Sequence, residues 1–591
     1  MSESSTLTLG AVTLVLLVAV ILTAPLSFCL LWLYNRAMLS EMRRHGLLDA
    51  PAANRTLHDL AGYTSSGALE LEIVDAGTQL GASPEALPIY RRAARGAWLT
   101  AAVYTVGGVA HALVATAVLF LATELPVYPL GALAIFWAHL WPTVIVVGIV
   151  TVADWRSRIR NVLVYVGLGV ALAAFARSSW FAIPFFWLLA AGPPTLCLIP
   201  FLQPRLRAVG PLVFAFTITG VGGALLAYGV SVSELGRLAL DWVAVAVQLP
   251  DRTPGAAPML MSLMLPEVVR ARGVSALIDG VALLGFVGFS VLGWQALRWI
   301  GWLYESKYIS DQSVVVDLVW LIFTLCEAIQ RAFDGLAWTG AALGSFVAYK
   351  ALTVALFAIV ARRRGVTRNH RLLLLRVFGF RERSERLIEM VGSRWRYVGS
   401  IQLIAATDLA STTVEPHELL DFAHGKLAAR YVNSHAALER QLARLDVHPD
   451  VDGRFRMNEF FCHDDTWKMT LTRLAEADDL VLMDLRGFSP SNQGCCFELD
   501  QFIDRVRLSK VVLVLDRTTD VAFLRAVLDQ AWSSITPGSP NVGLRPARVT
   551  AIYLTRDDRK GAHALLGGLA RALANELGAG TTGPAPRAAS A

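Results

Sequence analysis

Apolar residues are distributed along this chain in two different ways, and the change comes near position 360. Before it they form runs of about 20, the length that carries a helix across roughly 30 Å of hydrocarbon. After it they form short runs with periods of two or 3.6. The long runs predict nine spans, near 9–34, 97–121, 130–152, 161–176, 179–202, 209–229, 276–297, 314–330 and 336–360. The segment 35–96 is too polar to span and is expected to form short helices beneath the bundle. The connection 230–275 carries an apolar stretch suited either to lying in the interface or to packing into the bundle. The first run has no basic stretch before it and no small-residue cleavage site, so it is read as retained.

The later half alternates β-rich runs with amphipathic helices, the order of a parallel sheet covered on both faces. Strands are expected at 372–380, 400–406, 480–485, 510–515 and 547–554, with helices near 382–393, 415–445, 464–477, 495–508, 519–532 and 559–577. The segment 446–461 reads as a turn plus an extra strand or lid. The expected architecture is thus a membrane α-helical bundle over 1–362, a five-stranded flavodoxin-like α/β domain over 363–577 and a disordered tail over 578–591.

Composition agrees with this division: 55% of residues are apolar and only 17% charged. The net charge of +6 needs no nucleic-acid partner, because basic residues beside the spans account for it. With the amino end outside, inner connections hold fourteen Arg and Lys against six on outer ones, and Arg362, Arg363 and Arg364 close the last span. That asymmetry puts the C-terminal domain on the cytoplasmic side of the cell membrane; a bacterial source is expected. Six cysteines without a CxxC pair, and aspartates at 450 and 452 without the other ligands of a calcium loop, imply no metal and no cofactor. Within the spans the ionisable residues are His111, His139, Asp317, Glu327 and Lys350. Lys350 is placed to reach Asp317 as an ion pair, and the histidines are read as hydrogen-bonded packing residues.

Ligands of such sheets bind outside the carboxyl ends of the strands. Three stretches fall there. In Val377-Phe378-Gly379-Phe380-Arg381, Gly379 would let a ligand approach the backbone beside Phe380, and Arg381 would face a phosphate; a solvated helix start is the plainer alternative. In the second stretch a strand delivers Asp484, a loop through Asn492 follows, and Glu498 is expected in the first turn of the next helix. Two carboxylates at one mouth suit cleavage of an N-glycosidic bond, while an acidic residue in a first turn also serves as a simple cap. In Cys462-His463-Asp464-Asp465-Thr466-Trp467, an aspartate would cap a helix, or His463 and Trp467 would edge the pocket of Glu498.

Gly494-Cys495-Cys496-Phe497-Glu498-Leu499 resembles two family patterns. Cys495 and Glu498 match the Trp-Cys-x-x-Glu segment of TIR (Toll/interleukin-1 receptor) domains, with Gly494 in place of the tryptophan, and residues 377–381 resemble their first-strand box. Asp484, Gly494, Glu498 and Leu499 match nucleoside deoxyribosyltransferase-like proteins, with Asn492 where an aspartate is expected. The resemblance implies Glu498 as the acting carboxylate toward NAD or a related nucleotide. Asp484 would then be a sugar contact or second carboxylate, and Arg381 a phosphate contact. The expected protein is a membrane-anchored signalling or defence protein, partnered by the bilayer, a nucleotide and further copies of itself. A non-enzymatic scaffold and a transporter with a regulatory domain are the alternatives.

Overall fold

In the computed structural model the described residues are 3–43, 69–75, 86–124, 126–151, 155–175, 182–207, 209–232, 265–332, 334–365, 368–377, 381–405, 416–423, 425, 427–463, 466–555 and 559–581. The expected interfacial stretch after 232 and the expected disordered end of the chain lie outside them, the latter from 582 onward.

The bundle comprises α1 (Glu3–Arg43), α2 (Leu87–Thr123), α3 (Pro129–His139), α4 (Trp141–Val150), α5 (Trp155–Phe175), α6 (Ala182–Leu198), α7 (Gly210–Val232), α8 (Leu265–Glu305), α9 (Asp311–Arg331) and α10 (Leu336–Arg364). Among the described residues seven helices are long and apolar enough to cross a membrane, α3 and α4 counting together. The fourth and fifth expected passes are helical as α5 and α6. Neither is among those seven. Helix α9 is the most enclosed, buried over 61% of its apolar stretch.

The C-terminal part folds around a parallel sheet with helices α11 (Arg381–Trp395), α12 (Pro416–Ala423), α13 (His435–Ala443), α14 (Trp467–Ala477), α15 (Gln493–Arg505), α16 (Val521–Ser533) and α17 (Arg559–Thr581). Its strands are β1 (Leu69–Asp75), β2 (Leu372–Arg376), β3 (Ile401–Ala405), β4 (Tyr431–Val432), β5 (Met457–Cys462), β6 (Leu480–Asp484), β7 (Val511–Leu515) and β8 (Ala547–Tyr553). They lie in the order β1-β8-β7-β6-β2-β3-β5-β4. The five expected strands are present, and three more correct the count. β5 lies in the segment read as a turn plus an extra strand or lid, and it is the strand. β4 interrupts what was read as one helix over 415–445. β1 comes from the segment read as short helices under the bundle, where Leu-Glu-Leu-Glu-Ile has the period of a strand but its partner β8 lies far along the chain.

Alternation explains the layers. Leu373, Leu375, Val481, Met483, Val511 and Leu513 point to one face, where Leu471, Leu499, Phe502 and Leu524 cover them. Leu372, Leu374, Leu480, Leu482, Val512 and Val514 point to the other, under Leu387, Val391, Leu565 and Leu569. The second layer also takes Ile89, Tyr90 and Ala93 from the first turns of α2. One continuous helix therefore belongs to the core of the α/β domain at its start and to the bundle further along. Gly96 marks the close approach, since a Cβ there would collide with the Tyr397 ring.

Candidate functional site

The two central strands β2 and β6 end side by side, Arg376 opposite Asp484. Asp484 is buried and does not face an open mouth. Arg486, two residues on, grips it through Nε at 2.8 Å and Nη2 at 2.8 Å, and the Arg486 backbone N–H adds a third bond at 3.1 Å. Arg486 Nη2 also donates to the Arg383 carbonyl at 3.0 Å, tying the loop to α11. Neither Arg376 nor Arg486 was singled out in the sequence, although the Asp-Leu-Arg spacing at a strand end already allowed such a clasp.

Glu498 lies beside this clasp, 1% exposed. Helix α15 starts at Gln493, so Glu498 sits in the second turn and not in the first, where the helix end would have supported its charge. Asn492 is the residue before the helix, and its Oδ1 accepts from the Ser489 N–H at 2.9 Å, which closes the loop locally. Burial raises the Glu498 carboxyl to about 8, against the pull of Arg376 and a hydrogen bond with Cys495. Its Oε2 has no hydrogen-bond partner among the described residues. At neutral pH Glu498 is therefore mostly a neutral acid inside a cluster of Arg376, Asp484 and Arg486.

The other expected contacts are dispersed. Gly379 and Phe380 lie outside the described residues, as does the side chain of Arg381. His463 is buried and stacks on Tyr431 with ring centroids 5.0 Å apart. Trp467 opens α14 and meets Phe497, the neighbour of Glu498, edge to face at 5.6 Å. The helix cap expected from Asp464 or Asp465 lies outside the described residues. Cys495 is buried and Cys496 partly so.

No family model matches the chain, and no curated protein or solved structure matches it.

A second polar cluster, in the turn expected before an extra strand or lid, joins the two halves of the molecule. The loop 446–456 before β5 enters the cytoplasm-facing end expected for the bundle and brings its charges with it. Arg396 holds Asp311 at the start of α9 with two bonds of 2.7 and 3.2 Å, and its Nε donates to the Phe455 carbonyl at 2.6 Å. Arg454 reaches Gln312 at 3.0 Å and Asp311 at 3.8 Å. Asp452, fully buried, accepts from Ser310 Oγ at 2.8 Å, and its carbonyl accepts from Thr100 of α2 at 3.1 Å. Asp450 lies between Arg456 at 2.9 Å and Lys307 at 3.2 Å, while the Arg456 guanidinium lies 3.7 Å from the Tyr304 ring centroid. Burial raises the Asp450 carboxyl to about 6, opposed by Arg456. Gly453 turns this loop with φ of 82°, and a Cβ there would run into the guanidinium of Arg364 at the end of α10.

Within the bundle, Lys350 pairs with Asp317 at 2.5 Å, as the sequence suggested, and Tyr349 donates to the same carboxylate at 2.9 Å. His111 lies 2.9 Å from Thr324 and 3.1 Å from Ser345, against the Trp320 ring. His139 bonds Thr116 at 3.0 Å, with Glu327 at 3.8 Å. These contacts suit histidines that pack and give no support to a transport path through them.

Proposed function

We propose that this chain is a membrane-anchored signalling scaffold. A nine-pass bundle with its amino end outside holds a cytoplasmic α/β domain in a fixed pose, so that a change in the bundle reaches the loops at the carboxyl ends of the sheet. The observation that carries this is the joint of Arg396, Arg454 and Arg456 with Asp311, Asp450 and Asp452, in which both halves supply charges and every acid named has a partner. A flexible tether would leave these groups in water; burying them costs several kcal/mol per ion unless the pairing is held. The arginine run 362–364 and the basic inner connections support the orientation.

A second function, cleavage of the N-glycosidic bond of NAD or a related nucleotide, is favoured by one observation: the Glu498 Oε2 has no hydrogen-bond partner among the described residues, as in a carboxyl that awaits a ligand. Its near-complete burial and the clasp of Asp484 by Arg486 weigh against it. The two functions separate when full-length protein is incubated with NAD and released nicotinamide is measured for wild type and Glu498→Gln. The scaffold predicts no release from either. Release by the wild type that the substitution abolishes would overturn it in favour of the enzyme.

A further inference from the structure

A cleft lies on the opposite rim of the sheet from Glu498. It occupies about 750 Å³ and is lined by the starts of β1 and β8, by the turn Gly543-Leu544-Arg545-Pro546 and by the second half of α16. Leu69 and Ala547, paired in register, form its floor at the amino ends of the two strands. The volume is that of a small-molecule site.

Its chemistry is uneven in an informative way. Asp529 lines the cleft and is only 3% exposed, yet its Oδ2 finds no hydrogen-bond partner among the described residues. A buried carboxylate without a donor is costly, and proteins satisfy such groups with a partner or a ligand. Arg525 and Arg545 stand at the same cleft, both exposed and without an ion pair among the described residues. Trp532, half-buried, adds a flat aromatic face, and Leu528 and Leu544 supply apolar wall.

We infer that this cleft binds a guanine nucleotide. A carboxylate only accepts hydrogen bonds, so Asp529 selects a ring edge with donors. Guanine offers two adjacent ones, N1–H and the exocyclic N2–H₂, which fit the two oxygens of one carboxylate. Adenine sets an acceptor beside its amino group and would place a lone pair against the acid. Trp532 stacks on the base, while Arg525 and Arg545 take the phosphate, as guanidinium groups do. The site is independent of the Glu498 cluster and of the proposed scaffold function.

Titration calorimetry on the full-length protein in lipid nanodiscs tests this with GMP, AMP, guanosine and inorganic phosphate. GMP should bind saturably and at least about tenfold more tightly than AMP. Asp529→Asn should weaken GMP about tenfold or more while melting at or above the wild-type temperature, because it removes an uncompensated acid. The double substitution Arg525→Ala with Arg545→Ala should weaken GMP and leave guanosine unchanged. Absence of saturable GMP binding at about 1 mM ligand, or equal affinity for GMP and AMP with no effect of Asp529→Asn, would overturn the site. Binding of inorganic phosphate as tight as that of GMP would overturn the base recognition.

Discussion

Two buried charge clusters in this molecule are built from the same residue types and end differently. At the joint, Asp450 and Asp452 find donors from both halves of the chain, and Asp311 of the bundle is held by arginines of the α/β half. At the carboxyl ends of β2 and β6, Asp484 is clasped by its own loop, and Glu498 is left nearby with an unbonded Oε2. Pairing across two structural units fixes a relative position, whereas pairing within one loop fixes only that loop. On the proposed scaffold reading the difference places the coupling at the joint, while in the second cluster burial raises the Glu498 carboxyl.

The largest effect should come from breaking the joint. Arg396→Leu strands Asp311 beside the more distant Arg454 and should cost on the order of 3–5 kcal/mol. Thermal melting of the full-length protein in detergent would register this, and a shift within error of wild type would dissolve the contrast between the clusters.

A somewhat smaller effect is expected of Glu498→Gln, and it depends on pH. Burial lifts the Glu498 carboxyl to about 8, so the folded protein keeps a proton that the unfolded chain releases near the ordinary range for glutamate. The protein binds more protons folded than unfolded over that interval, and stability therefore falls as pH rises through it. Relative to Glu498→Gln, the wild type should lose on the order of 3 kcal/mol between about pH 5 and pH 8. Asp450, raised to about 6, and Asp478, raised to about 7 mainly by burial, titrate equally in both proteins and cancel in the comparison. A pH-independent difference would mean that Glu498 is ionised in the folded state.

Gly453→Ala tests the joint by backbone alone. Its positive φ and the guanidinium of Arg364 should make the change cost about 2 kcal/mol. The smallest effect belongs to an exposed pair: Arg505→Gln removes the 3.2 Å contact with Glu476 and should shift stability by less than about 0.5 kcal/mol. A shift as large as that of Arg396→Leu would show that surface pairs in this domain carry as much as those at the joint.

The sequence revealed whatever was local. Long apolar runs marked the passes, and alternating runs marked the five strands that bury both faces, because burial sets hydrophobicity residue by residue. β1 escaped because its partner comes from the far end of the chain, and β4 because two residues leave no period. The loop 446–456 carries its aspartates and arginines close together, which resembles a solvated turn, and only the arrival of Asp311, Ser310 and Thr100 from the bundle gives those charges a purpose. At the expected site, Asp484 and Glu498 were correctly brought to one end of the sheet. The arginines that change their meaning, Arg376 and Arg486, were not singled out: Arg376 comes opposite Asp484 only when β2 and β6 pair, although the local clasp of Asp484 by Arg486 was within reach of the sequence.

The most direct test of the joint is hydrogen–deuterium exchange on the full-length protein in lipid nanodiscs, wild type against Asp311→Asn. The substituted residue lies at the start of α9, yet faster exchange is expected in 446–456 and, beyond it, in the loop 485–492 after β6. Unchanged protection in both segments would contradict a coupled joint and leave the α/β domain resting against the bundle without responding to it.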